Sequence, residues 1–408
     1  MTKKHQTKIK EKLNLSKLKL GTLFELTEGV KNSLSNTDLT TIYKHVLIDE
    51  LNIGKIVLFK NSAGKWIQEL CIGTESNSID IEADLLNISE IQVLNFEGEE
   101  NLAPFDVVVP IFHEFKPMAY LLLGDFEGEK IEISPIIKHL RFIQTLTNIV
   151  VVAIENKRLL KENIEQIRIK KEMELASDMQ QMLFPKELPN NQRIEAASTY
   201  KPHHLVGGDY YDFIQLNNDE VAFCIADVSG KGVPAALLMS NFQASLRLLI
   251  QRTSSLSGLA IELNKSVLSN ANGEKFITTF IGKYNLKTRN LQYINAGHNP
   301  PLLLVDHHFT PLTDGCTVLG VFDNLPSVTE KNITIPQNAI LTCFTDGVVE
   351  QPNSQDDMFN LNYLKESILE KKEQSMRELT RNVIAKIEVF KEDVEYKDDI
   401  ALLCLRLK

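Results

Sequence analysis

Apolar residues along this chain recur at two periods, and the changes of period divide it into three stretches. From 20 to 52 the spacing is helical, through Leu23, Leu26, Val30 and Leu34 and then Leu39, Ile42, Val46 and Leu47. Short strand-like runs at 55–59 and 66–70 flank Asn61-Ser62-Ala63-Gly64, which predicts a hairpin. Apolar runs at 106–112 and 118–123 predict two more strands, and a long helix begins near Ile136 and passes through Phe142, Leu146, Val150 and Ile154.

The second stretch, 153–184, contains no Gly or Pro. Its apolar residues Leu160, Ile164 and Ile167 give way to Ile169, Met173, Ala176 and Leu183, so the stripe slips phase near 167–169. A dimeric coiled coil with a local discontinuity explains the slip; a single amphipathic helix lying on a domain surface is the alternative. Pro185 stops helix continuation. The third stretch, 190–408, is one domain dominated by strand-like runs, with helical patterns at 234–252, 256–271 and 360–392.

Composition narrows the function classes. A length of 408 residues suits two or three domains, and a net charge of −10 argues against the basic face of a nucleic-acid binder. Lysines do cluster in the polar segment 1–19, which is expected to be solvated and partly frayed. The five cysteines form no CxxC pair, so zinc spacing is absent and a reducing compartment fits. With no signal-peptide core and no apolar run of the roughly 18 residues that span a bilayer, a cytoplasmic protein is expected.

The candidate chemistry lies in four acidic spots of the third stretch. Gly207-Gly208-Asp209 precedes an apolar run; Asp227 closes the run 221–226 and opens a turn with Gly230 and Gly232; Thr345-Asp346-Gly347 follows the run 339–344; Asp398-Asp399 precedes the run 400–405. Each carboxylate therefore stands at a strand end beside a turn. Several unpaired carboxylates are not tolerated in a core without compensation, and bound cations relieve the cost. All-oxygen ligation selects Mg²⁺ or Mn²⁺, and two such ions can clamp a phosphate and activate a water between them.

These motifs, taken together and in order, resemble the SpoIIE/RsbU branch of the metal-dependent (PPM-type) serine/threonine phosphatases. The matching strings include Glu174-Leu175-Ala176-Ser177-Asp178-Met179-Gln180-Gln181, Gly207 to Asp212, Asp227-Val228-Ser229-Gly230-Lys231-Gly232, Ala296-Gly297-His298-Asn299-Pro300-Pro301, Phe344-Thr345-Asp346-Gly347 with Glu350, and Asp398-Asp399-Ile400. The resemblance implies that Asp227 bridges two Mn²⁺ or Mg²⁺ ions, that the backbone carbonyl of Val228 is a further ligand, that Asp346 and Asp398 each hold an ion, and that Asp209 reaches the site directly or through water. Asp227, Asp346 and Asp398 are accordingly the expected catalytic set. Whether Asp398 or Asp399 is the direct ligand stays open, and Lys231 receives no role. Asp212 either supports Asp209 or faces solvent, and His298 is taken as a structural turn residue rather than a general acid.

The implied reaction is in-line attack of a water held by the ions on a phosphoserine or phosphothreonine of a partner protein, commonly a STAS-type anti-sigma-factor antagonist in relatives of this branch. A catalytically silent partner-binding scaffold and a small-molecule phosphoester hydrolase are the rival readings. The helix–hairpin–strands–helix layout over 20–156, with its ending Ile154-Glu155-Asn156-Lys157-Arg158-Leu159, resembles a GAF domain, a small α/β module that senses a ligand or serves as a dimerisation unit. The expected architecture is thus α+β: a polar segment 1–19, a GAF-like α/β sensor domain 20–152, a helical coiled-coil linker 153–185 favouring a homodimer, and a PPM-type β-sandwich flanked by helices at 190–408.

Overall fold

The central strands are buried on both faces, as their continuous apolar runs require, and the chain divides into two units, Met1–Ile167 and Arg168–Lys408. The structure, a computed structural model, describes residues 3–76, 79–94, 100–113, 115–124 and 135–408.

The first unit runs α1 (Lys3–Lys31), α2 (Asn36–His45), a π-helical turn (Val46–Glu50), β1 (Lys55–Ser62), β2 (Lys65–Ile72), α3 (Ile81–Asp84), β3 (Gln92–Val93), β4 (Val107–His113), β5 (Lys116–Gly124) and the start of α4 (Pro135–Gln181). The strands form one antiparallel sheet in the order β2-β1-β5-β4-β3. The hairpin turn places Ala63 and Gly64 at positive φ, as a type I′ connection requires. On β1, Ile56 and Leu58 face a core with Leu39, Tyr43, Ile143, Leu146 and Val150, while Val57 and Phe59 face Leu85, Ile88, Leu102 and Phe105. Both faces are therefore apolar, and the strand reads as a continuous apolar run.

Helix α1 begins at Lys3, so the segment expected to fray is helical. Ser35 starts α2 with a capping box to Asp38, which separates the two helices that the sequence pattern ran together. Helix α4 is unbroken through the phase slip, and the division between the units falls at Ile167/Arg168, within the stretch 153–185 read as the linker. One stretch of α4 is long and apolar enough by length and composition to cross a membrane, contrary to the sequence expectation. Its apolar residues include Leu146, Val150, Val151 and Ile154, all buried in the first unit's core, which accounts for the composition. Beyond them, Leu160, Ile164 and Ile167 are at least half exposed.

The second unit begins with the end of α4 and continues as β6 (Ile194–Lys201), β7 (Tyr210–Gln215), β8 (Glu220–Val228), α5 (Val233–Leu249), α6 (Leu256–Ala271), β9 (Ile277–Asn285), β10 (Asn290–Ala296), β11 (Leu302–Val305), β12 (His308–Pro311), β13 (Gly315–Cys316), β14 (Lys331–Thr334), β15 (Ala339–Phe344), α7 (Asp346–Val349), α8 (Leu361–Lys371), α9 (Met376–Lys391) and β16 (Ile400–Leu407). One sheet has the order β13-β10-β9-β8-β7 with β14 also on β10; the other has the order β12-β11-β15-β16-β6. Strand β16 shows why they stack. Ala401, Leu403, Leu405 and Leu407 point into the core shared with β8, β9 and β10, while Ile400, Leu402 and Cys404 point the other way, onto Leu364, Ile368, Leu379 and Val383 of α8 and α9. Helices α5 and α6 pack on the six-stranded sheet, giving a β-sandwich with a helical layer on each outer face. The single helical pattern read at 360–392 is two helices, because Ser375 and Glu378 form a capping box that starts α9 anew.

Candidate metal site

Antiparallel pairing decides which carboxylates meet. Tyr210 pairs with Ala226, so Asp209, just before β7, and Asp227, next to last in β8, stand at the same end of one sheet. Phe344 pairs with Leu402, so Asp346, just after β15, and Asp398, just before β16, stand at one end of the other sheet. Thr345 ties the two ends together. Its hydroxyl donates to Asp209 Oδ2 at 2.7 Å and accepts the Ala401 N–H at 2.9 Å. The chain order of the four acids is thus unrelated to their meeting; the register of two strand pairs brings them to one edge of the sandwich.

The electrostatics record that meeting. Asp209 is 1% exposed, and its carboxyl is held well above the usual carboxylate range by burial first and then by the charges of Asp227 and Asp399. Burial, then Asp346 and Asp398, push the Asp227 carboxyl up to about 7. Asp346 is raised too, by burial and then by Asp398 and Glu350. Asp346, Gly347, Glu350, Gln351, Met358 and Asp398, with Lys231 and Lys397, line a cleft of about 280 Å³.

Backbone geometry keeps this end open and tight at once. Gly232 caps α5 at φ 72° and ψ −151°, a conformation closed to side chains with a Cβ, and Pro234 follows in the first turn, where a missing N–H costs little. At Gly208 a Cβ would lie 2.9 Å from the Val228 carbonyl oxygen, so Val228 presents its carbonyl to the 207–209 loop. At Gly207 a Cβ would lie 2.3 Å from Asp399 Oδ2.

Three residues matter here that the sequence reading left without a role or named only in passing. Asp399, 7% exposed, spends both carboxylate oxygens on backbone, accepting the His203 N–H at 2.7 Å and the Gly208 N–H at 2.6 Å. It holds the loop that carries Asp209. Gln180, near the end of α4, donates to the Gly207 carbonyl at 2.7 Å and accepts the Gly207 N–H at 3.1 Å. It pins the same loop from the helix side. Thr345 is the bridge already described. The available signal was position inside matching strings, since each belongs to a motif whose other members drew attention first.

Asp212 departs from both sequence alternatives. It is fully buried, accepts the Tyr210 hydroxyl at 2.5 Å, and takes Arg247 of α5 through Nε at 2.7 Å and a second guanidinium nitrogen at 2.9 Å. It neither faces solvent nor supports Asp209. His298 is 5% exposed, shares a 2.8 Å hydrogen bond with Thr278, and is lowered by burial to about 4, so it is neutral near pH 7. That fits a structural residue. His203 and His204 stack on each other, with ring centroids 4.2 Å apart, outside the acidic group.

The donor set suits hard divalent cations. It is all oxygen, its carboxyls are raised by one another's charge, and among the described residues the Lys231 ammonium lies 2.8 Å from Asp398 Oδ2. Among the described residues, no three acidic, histidine or cysteine side chains are gathered closely enough to hold an ion as they stand. The fit therefore lies in charge and donor chemistry.

This helix-flanked β-sandwich with its acidic end is similar in sequence to the phosphatase domains of the PPM class. Residues 217–408 match the family Stage II sporulation protein E (SpoIIE), so this part of the chain is similar to SpoIIE-type phosphatase domains. Over 245 residues the chain is 29% identical to phosphoserine phosphatase RsbU of Bacillus subtilis, a match covering 60% of this chain and 72% of that protein. Protein IcfG of Synechocystis sp. is 26% identical over 353 residues, 77% of this chain but 53% of that protein. The SiaA-PP2C domain of Pseudomonas aeruginosa superposes with a TM-score of 0.54 at 18% identity, over 60% of this chain and 99% of that domain, and shares the fold.

Proposed function

We propose that this protein is a signalling phosphatase that hydrolyses phosphoserine or phosphothreonine on a partner protein with two Mn²⁺ or Mg²⁺ ions. The observation that carries the proposal is the convergence of Asp209, Asp227, Asp346 and Asp398 at one end of the sandwich, with Asp227 raised to about 7 by burial and its acidic neighbours. Asp227 is assigned to both ions, Asp346 and Asp398 to one each, the Val228 carbonyl as a further ligand, and Asp209 to the buried side of the site, oriented by Thr345. Bound ions supply the activated water and neutralise charge on the phosphoryl group. The protein's own contribution is orientation: Asp399 and Gln180 fix the 203–208 loop, and Asp399 N–H fixes Asp398 Oδ1 at 2.9 Å.

The cleft is small, about 280 Å³, and lined by two lysines, which suits a phosphorylated side chain presented by a protein surface better than a whole small-molecule ligand. By family resemblance the partner is a STAS-type anti-sigma-factor antagonist. The first unit acts as a GAF-like sensor, supported by its helix–hairpin–strands–helix order, and α4 carries its state onward. The exposed apolar residues Leu160, Ile164 and Ile167 favour a coiled-coil homodimer through that helix. Gln180 is the point at which a shift of α4 reaches the Asp209 loop. Mn²⁺-dependent turnover of a phosphoserine peptide, abolished in Asp227→Ala and Asp346→Ala, is the expected result; full activity in either variant overturns the site. A flexible Gly/Ser insert near Gln166 is expected to uncouple regulation from turnover, and unchanged regulation sinks the linker role.

A further inference from the structure

The Lys231 ammonium sits against the acidic group, and its contacts are specific. Its ammonium donates to Asp398 Oδ2 at 2.8 Å and also to the Lys397 carbonyl. The other carboxylate oxygen of Asp398 is already held by the Asp399 N–H, so Oδ2 is the oxygen left to face the cleft. A divalent ion and the Lys231 ammonium therefore compete for the same atom. Lys231 is also free to leave: its side chain is 43% exposed, and it sits between Gly230 and Gly232, both at positive φ, on the cleft rim. A lysine reaches on a flexible four-carbon stem and binds phosphate as a compact point charge.

We propose that Lys231 is an internal counter-cation that occupies Asp398 until a divalent ion displaces it, and that the displaced ammonium then binds a phosphate oxygen of the substrate. The inference rests on the phosphatase reading for its second half only; the competition stands on the Lys231–Asp398 contact. Its distinctive consequence is a pair of opposite effects from one substitution. Removing the ammonium frees Asp398 and takes a positive charge away from an incoming cation, and both changes favour the metal. The same removal deprives the phosphate of a partner.

The test uses the full chain and titrates MnCl2 calorimetrically, which needs no turnover. Lys231→Met is expected to bind Mn²⁺ about two- to fivefold more tightly, the range that an exposed ion pair sets. Lys231→Arg keeps the charge and should stay within about twofold of wild type. Lys397→Met removes a neighbouring charge from the same cleft without freeing Asp398, so it should tighten Mn²⁺ by clearly less than Lys231→Met. In parallel, inorganic phosphate is used as a competitive inhibitor of p-nitrophenyl phosphate turnover, and its inhibition constant should rise several-fold in Lys231→Met. Unchanged or weaker Mn²⁺ binding in Lys231→Met, or equal tightening in Lys397→Met, overturns the competition; an unchanged phosphate constant overturns the phosphate contact. A wild-type chain that binds Mn²⁺ but turns over no phosphoester would overturn the phosphatase reading while leaving the calorimetric competition intact.

Discussion

Asp209 and Asp212 lie three residues apart at β7, both are buried, and their surroundings are opposites. Asp212 meets a guanidinium that chelates both its oxygens and a tyrosine hydroxyl besides. Asp209 meets Thr345 and three further acids. A buried charge that is fully paired within the chain is structural, because its partners cancel its desolvation. One that is left among like charges must be neutralised, by a proton or by a bound cation. The comparison separates scaffold from site without reference to any relative, and it can be broken at several points.

The largest expected effect is on the unpaired side. Asp227→Asn should lower Mn²⁺-dependent turnover by at least about a hundredfold, because on the proposed assignment it removes the carboxylate that serves both ions. The same change should not unfold the metal-free protein, since it relieves repulsion with Asp346 and Asp398. Steady-state kinetics and a denaturant titration check the two halves; a variant that is both active and destabilised would invert the assignment. On the paired side the signs reverse. Arg247→Met should cost about 2–4 kcal/mol of stability, discounted for the guanidinium's 44% exposure, by leaving Asp212 buried and alone. Replacing both partners, Asp212→Leu with Arg247→Met, should recover most of that loss, which a denaturant midpoint series would show.

The third prediction concerns pH. Asp227 is raised to about 7 in the folded chain, above its ordinary value of 3.8, so between those values the folded state binds the proton and the unfolded state does not. Metal-free stability therefore falls as pH rises through this window, at up to about 1.4 kcal/mol per unit from this group, and levels off above it. Saturating Mn²⁺ should abolish or reverse the slope, and Asp227→Asn should flatten it. A thermal-unfolding series from pH 4 to 8 with and without metal reads this directly; a metal-free slope unchanged in Asp227→Asn would remove Asp227 as its source.

Much of the contrast was legible in the sequence, but not all of it. The strand ends bearing Asp209, Asp227, Asp346 and Asp398 could be read from apolar runs bounded by Gly or Asp turns, because a continuous apolar run and the turn chemistry at its ends are local properties. The helix pairs α1/α2 and α8/α9 were merged because a capping serine interrupts the chain without interrupting the apolar spacing. Asp212 escaped because its partner, Arg247, sits 35 residues away in α5, and no spacing rule reports that a particular arginine folds back onto a particular strand. Asp399 was set beside Asp398 as a possible ligand, yet adjacent residues point apart, so one lines the cleft while the other accepts two backbone N–H groups from the 203–208 loop.

The smallest expected effect is the sharpest probe of the comparison, because it sets two hydroxyls that serve the two aspartates against each other. Thr345→Val keeps the shape but removes the donor to Asp209 and the acceptor for the Ala401 N–H. Tyr210→Phe removes the donor to Asp212, whose charge stays cancelled by Arg247. Each should cost about 1 kcal/mol. The dependence on metal separates them. Without an ion, burial and its acidic neighbours raise the Asp209 carboxyl well above the usual carboxylate range and so favour its neutral form, which accepts a weaker hydrogen bond. With Mn²⁺ bound it is ionised, so the Thr345→Val penalty should grow when metal is added. Asp212 keeps the same partners throughout, so the Tyr210→Phe penalty should not change. Denaturant unfolding of both variants, with and without MnCl2, decides the matter: equal penalties for Thr345→Val in the two conditions would mean that Asp209 does not answer to the ion, and that the site ends at Asp227, Asp346 and Asp398.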